Sequence, residues 1–283
     1  MPTKNEDWII KQTISSASEF VDNIIVSDQS STDKTIEILE AFKKVEIISN
    51  KRSDHSNIVR WELLEESRKK FGYKNLVLNL DADEFLPQYL FLRNKKKIVN
   101  QQLGTIFSSP WVQLWRSINQ YRNDNSVWNP KKNKKSYMFL DDGKVGYEKN
   151  FTINDHTSRV PTLNTKQTIE LKMPLIHLQF ANWERSQMKQ VWYMCKELIS
   201  GISSEEINQK YVHSMNEEGI KYSKSKSKWF VDKSNFENIQ TQNPKSLWYF
   251  KEIELMFLKY GVQYFQELNI WENKHLNNFL YEL

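Results

Sequence analysis

Cysteine is almost missing from this chain: Cys195 stands alone among 283 residues. A disulfide framework within the chain and a cysteine-based zinc site are both excluded, and a reducing, cytoplasmic setting fits. Glycine is scarce as well. The seven glycines fall at 72, 104, 143, 146, 201, 219 and 261, none of them within the first 71 residues. No set of them has the spacing of G-x-G-x-x-G or G-x-x-x-x-G-K-[ST], so any nucleotide bound here is held without those phosphate loops. No apolar run approaches the roughly 18 residues that a membrane helix needs. The opening Met-Pro-Thr-Lys-Asn-Glu-Asp has no apolar stretch of the signal-peptide kind. A strong charge bias is lacking too: 40 basic against 35 acidic residues leave +5, which gives no reason to expect a nucleic-acid partner.

Apolar and aromatic side chains, by contrast, are plentiful. Hydrophobic residues make up 39% and aromatics 13%, with ten Trp, enough to build the core of one large domain or of a domain with an appendage. Residues 8–20 read as a helix and "VDNIIVSD" as a strand ending at Asp28. "QSSTDKTIEILEAF" reads as a helix, with Ser30 or Ser31 as N-cap and Asp33 in the first turn. "VEIISN" is a second strand, "NIVRWELLEESRKKFG" a helix stopped by Gly72, and "NLVLNLDADEFL" a third strand. This β-α-β-α-β order predicts an α/β fold with a mostly parallel sheet between helices, whose ligands sit beyond the carboxyl ends of the strands. "GTIFSSPWVQLW", "SYMFLDDG" and "MPLIHLQF" read as further strands. From Trp183 the pattern turns helical, and "SSEEINQKYVHSMNEEG" opens with a Ser203–Glu206 capping box. The expected plan is an α/β domain over residues 1–182 and a helical C-terminal region over 183–283. Its aromatic helices supply core or a homodimer interface. The basic stretches "NKKK" (94–97), "PKKNKK" and "KYSKSKSK" read first as solvated charge. Attraction of a phosphorylated acceptor or an anionic membrane face is the sharper alternative.

The third strand ends in an unusual way, with Asp81, Asp83 and Glu84 after an apolar run. Within a strand, residues 81 and 83 would point to one side. Two carboxylates so close raise each other's pKa unless a cation lies between them. Mn²⁺ or Mg²⁺ would relieve the repulsion, and these ions typically combine one or two carboxylates with phosphate oxygens. The stretch therefore reads as a metal–diphosphate site, against the plainer reading of a polar strand end or a helix cap.

Three segments together resemble the family 2 glycosyltransferases of GT-A fold: "PTKNED" at 2–7, "VDNIIVSDQSSTDKTIEIL" at 21–39 and "LNLDADEFL" at 78–86. The resemblance implies a nucleotide-sugar-binding sheet flanked by helices and a metal-dependent, inverting transfer of a sugar to an acceptor hydroxyl. It implies a UDP-, GDP- or dTDP-linked donor and a glycan, lipid-linked or protein acceptor. The setting it suggests is bacterial glycan or cell-surface polysaccharide synthesis, in the cytoplasm or at the inner membrane face. By the same resemblance Asp28 contacts the base or ribose, with Thr3, Asn5, Glu6 and Ser30 alongside and Asp33 holding the turn. Helix-start chemistry is the competing role for Glu6 and Asp33. Asp81 and Ala82 flank the nucleotide, and Asp81, Asp83 and His177 are the implied metal ligands. His177 also fits as a hydrogen-bonded core histidine. An inverting transfer needs a carboxylate to deprotonate the acceptor. Asp155 in "TINDHTSRVP" is the first candidate, then Asp142 in "FLDDG", then His156. Only Met1, Pro2 and Thr3 precede the Asn5-Glu6 loop, so the family's first strand is expected as a stub, at a cost to donor binding. Two rival readings stay open: a haloacid-dehalogenase-like phosphohydrolase with Asp81 as nucleophile, against which Phe85 stands where Thr or Val is usual, and a non-catalytic copy that binds a nucleotide.

Overall fold

The computed structural model of the chain describes residues 1–51, 58–148, 158–215, 217–240 and 247–282. The chain divides into two compact units. The first comprises Met1–Val112, Pro130–His177 and Ser225–Phe236, and the second comprises Gln113–Asn129, Leu178–Lys224 and Glu237–Leu283.

In the first unit, β1 (Pro2–Thr3), β2 (Ile24–Asp28) and β3 (Val45–Ser49) form a parallel sheet in that order. The two residues of β1 pair with Ser27 and Asp28 of β2. Helix α1 (Ile10–Ser18) buries Ile10, Ile14 and Ala17, an i, i+4, i+7 stripe that closes on Ile24 and Val26 of β2 and on Leu39 of α2 (Thr35–Glu40). Helix α3 (Ile58–Phe71) packs against β2 and buries Val59, Arg60, Leu63 and Leu64. It stops where the sequence places the stop. Gly72 adopts φ +69°, and its N–H donates to the Arg68 carbonyl at 2.8 Å.

A second sheet carries β4 (Leu76–Leu78), β5 (Glu84–Phe85), β6 (Ile106–Gln113), β8 (Lys134–Leu140) and β10 (Leu175–His177) in the order β4-β8-β6-β10-β5, with β9 (Thr168–Glu170) beside β6. Here the expectation of mostly parallel pairing is corrected. β4 with β8, β6 with β8 and β10 with β5 are antiparallel, and β9 with β6 is parallel. The result is a mixed α/β core flanked by helices. The physical reason is connection type: no helical crossover joins β6 to β8, and a loop return makes antiparallel neighbours. The third predicted strand also differs. It ends at Leu78, and the chain then turns, with Glu84 N–H donating to the Asp81 carbonyl at 3.1 Å. Asp81 and Asp83 therefore lie on a turn rather than on one face of a strand. The apolar pattern reported burial of Leu80, Ala82 and Leu86 correctly, and burial alone does not distinguish strand from turn. Helix α4 (Gln88–Val99) follows and turns Phe91 and Ile98 inward.

The second unit holds α5 (Trp183–Ile199), α6 (Ser204–Met215) and α7 (Trp248–Tyr260), with β7 (Gln120–Arg122) and β11 (Tyr222–Lys224) paired antiparallel. Met188, Val191, Cys195, Ile207, Tyr249, Ile253 and Phe257 share one core. Asn182 caps α5 by accepting from Arg185 N–H at 3.1 Å, and Ser203 Oγ accepts from Glu206 N–H at 3.2 Å, as the capping box requires. Beyond Gly261 the final aromatic segment forms 3₁₀ turns, Val262–Phe265 and Lys274–Glu282, instead of the expected helix. Among the described residues no helix is long and apolar enough to cross a membrane.

Candidate active site

Two loops at the carboxyl ends of β1 and β2 lock together. Asn5 takes a left-handed conformation, φ +53°, which Asn tolerates better than most residues. Its N–H donates to Ser31 Oγ at 2.8 Å, and its side-chain Oδ1 accepts from Thr32 N–H at 2.7 Å. Glu6 N–H donates to Thr35 Oγ1 at 2.8 Å. Asp28 accepts from Ser31 N–H at 3.0 Å and from Ser31 Oγ at 2.5 Å. Asp33 accepts from Thr35 N–H at 2.9 Å and from Asp7 N–H at 3.2 Å. Neither Ser30 nor Ser31 caps α2; Asp33 binds its first N–H while Ser31 faces Asp28. Ser30 is exposed at φ +55°. Thr3 is buried in register with Asp28, and among the described residues its Oγ1 has no hydrogen-bond partner. A buried hydroxyl without a partner beside a half-used carboxylate is a demand for a polar ligand.

The D-A-D turn lies at the end of β4. Ala82 is buried, and its carbonyl accepts from Thr13 Oγ1 of α1 at 2.8 Å. Both oxygens of Asp81 are held by guanidinium groups, Oδ1 by Arg60 and Oδ2 by Arg159. Burial pushes the Asp81 carboxyl up, but Arg159 and Arg60 together hold it down to about 2. Arg159 also donates to both oxygens of Glu84 at 2.6 Å, and Trp111 Nε1 donates to Glu84 Oε1 at 2.7 Å. Glu84 is fully buried. On the other side, His177 Nε2 lies 3.3 Å from Asp83 Oδ2, with both residues buried. The His177 ring stacks on Trp111, 4.7 Å between centroids. The strand register accounts for this placement, since His177 pairs with Glu84 across β10 and β5.

Of the two carboxylates expected to share a metal, Asp81 lies between two guanidinium groups. Its charge is balanced by two arginines, and their ion pairs relieve the repulsion without an ion. Asp83 is different. Its oxygen and the His177 nitrogen are separated by 3.3 Å, close to the ~3 Å between neighbouring ligands in an octahedral shell with 2.0–2.1 Å bonds. Three acids, Asp81, Asp83 and Glu84, are met by three cations, Arg60, Arg159 and Lys135, whose ammonium lies 4.5 Å from the Trp111 ring. Among the described residues no group of three or more His, Cys, Asp or Glu side chains converges on one point. Asp83 and His177 could hold a divalent ion only if phosphate or water completes its shell, which is how Mg²⁺ is ordinarily bound.

Residues 1–152 match the family model described as Glycosyl transferase family 2. The chain belongs to that family. Comparison with curated proteins found no match. The matched segment contains both interlocked loops and the D-A-D turn. Family membership makes the protein a glycosyltransferase and sets aside the phosphohydrolase reading. It implies a nucleotide-sugar donor and an acceptor.

The remaining expected residues fall elsewhere in this transferase. Asp142 Oδ1 accepts from Lys144 and Val145 N–H, each at 2.8 Å, in a turn after β8. Lys74 and Asn75, ahead of β4, hydrogen-bond to the neighbouring Asp141 backbone, so β4 separates Asp142 from the D-A-D turn at its other end. Asp142 is a turn-forming residue, at the end of β4 away from the D-A-D turn. Asp155 and His156 lie outside the described residues. Sequence reasoning missed Arg60, Trp111 and Arg159. Arg60 left a usable signal: it shares an i, i+3, i+4 spacing with Leu63 and Leu64, which puts an arginine on the buried face of a helix. Arg60 Nη1 is buried and, among the described residues, has no hydrogen-bond partner.

Proposed function

We propose that this glycosyltransferase is metal-dependent and inverting, with Asp83 and His177 as the protein ligands of the ion. The observation that carries the reading is the buried Asp83–His177 pair, 3.3 Å apart, beside an Asp81 already neutralised by arginines. A bound Mn²⁺ or Mg²⁺ would neutralise the charge developing on the departing nucleoside diphosphate. Asp28 and Thr3 Oγ1 bind the nucleoside end of the donor. Asn5, Glu6 and Asp33 fix the loop that presents them. Asp81 orients Arg60, whose unused Nη1 hydrogens point to a donor oxygen. Asp155, the first candidate from the sequence, is the general base that takes the acceptor proton as C1 is attacked.

The test is turnover of a panel of UDP-, GDP- and dTDP-sugars with Mn²⁺, first as slow hydrolysis and then as transfer. Asp155→Asn should lower turnover by 10²–10⁴-fold, the range for a lost general base, and leave Mn²⁺-dependent nucleotide binding intact. Asp142→Asn should turn over at the wild-type rate. Equal loss in both variants, or none in Asp155→Asn, removes Asp155 from the role.

A further inference from the structure

We propose that the outer face of α4 docks this enzyme on a membrane surface rich in anionic lipid. Over Gln88–Val99 the helix carries Arg93, Lys95, Lys96 and Lys97 and no acidic residue. All four cations are exposed, and among the described residues none has an acidic partner. The same face exposes apolar side chains: Tyr89 by 36%, Leu92 by 48% and Val99 by 43%. Tyr89, Leu92, Lys96 and Val99 follow i, i+3, i+7, i+10 and share one side, with Arg93 and Lys97 along its edge and Phe91 and Ile98 buried opposite. Exposed Lys228 places its ammonium 5.5 Å from the Tyr89 ring, and Lys226 is exposed nearby in sequence, so the basic surface continues beyond the helix.

Charge and apolarity together select the occupant. A polyanion such as RNA would satisfy the lysines but leave Leu92 and Val99 in water. An anionic bilayer takes both, because lysine heads reach lipid phosphates while leucine, valine and tyrosine enter the headgroup boundary. The helix begins four residues after Glu84, so docking would hold the D-A-D turn beside the membrane, where a lipid-linked acceptor would present its hydroxyl.

The test is co-sedimentation of the full chain with vesicles of phosphatidylcholine alone and of an equimolar phosphatidylcholine–phosphatidylglycerol mixture. Binding is expected only to the anionic vesicles and should weaken at high salt. Lys95→Gln/Lys96→Gln/Lys97→Gln should weaken it on the order of 100-fold, from the contribution of each surface lysine. Leu92→Ser/Val99→Ser should weaken it at least about tenfold. Both variants change exposed side chains, so melting temperature and sugar-nucleotide hydrolysis should match wild type. Absence of binding to anionic vesicles overturns the proposal. So does binding that survives either variant. Loss in the lysine variant alone, with competition by RNA or heparin, identifies a polyanion site instead and equally overturns it.

Discussion

Asp81 and Asp83 sit two residues apart in the same turn, yet their surroundings assign them different work. Asp81 lies between Arg60 and Arg159, so it serves as an anchor for two cations. Asp81→Asn keeps one acceptor oxygen but removes the charge that Arg60 and Arg159 face; with the Asp81 side chain a third exposed, the loss should be about 2 kcal/mol, which a melting-temperature comparison reads directly. The Asp81 carboxyl is held at about 2 in the folded chain, below the ordinary 3.8. Its stabilisation is therefore complete above the unfolded value and fades as pH falls through about 2. In acid titrations, the stability difference between wild type and Asp81→Asn should shrink between about pH 4 and pH 2. Asp83 faces His177 instead. Asp83→Asn and His177→Ala should each weaken Mn²⁺ binding by more than about 100-fold, beyond the range for loss of an outer partner of a ligand. Nucleotide binding in the absence of metal should change far less in both.

At the scale of elements, the loops after β1 and β2 were readable because short polar residues there have few other uses. "SDQSSTDKT" specifies a turn whose Ser, Thr and Asp side chains bind backbone N–H groups, and the structure has that arrangement around Asp28, Ser31, Asp33 and Thr35. Of the two roles open for Asp33, the structure shows helix-start and loop bonding, with one oxygen on Thr35 and the other on Asp7. Asp33→Ala removes both bonds and should destabilise the fold by about 2 kcal/mol, at roughly 1 kcal/mol each. Nucleotide affinity should drop with it, since the loop carrying Asp28 loses its brace; calorimetric titration with UDP or GDP measures that. The D-A-D segment was readable as buried and acidic but not as a turn. Its partners could not be found from sequence at all. Arg159 lies 78 residues from Asp81 and Arg60 lies 21 away, and only the folded sheet brings them together.

For the whole molecule, alternation of strands and helices announced the α/β class, while strand direction depended on connections that composition does not reveal. Parallel pairing holds for β1, β2 and β3, and antiparallel returns dominate the second sheet. The second unit offers a probe of global stability. Cys195 is fully buried, and burial pushes its thiol well above the usual range. A thiol reagent should label the native enzyme only through opening of that core, so labelling should accelerate in step with denaturant unfolding measured by tryptophan fluorescence. Crystals grown with Mn²⁺ and UDP, measured at the manganese absorption edge, should show an anomalous peak between Asp83 and His177, with Asp81 still gripped by Arg60 and Arg159. A peak ligated by Asp81 in place of its arginines, or no peak while Asp83 and His177 remain in contact, would contradict the account.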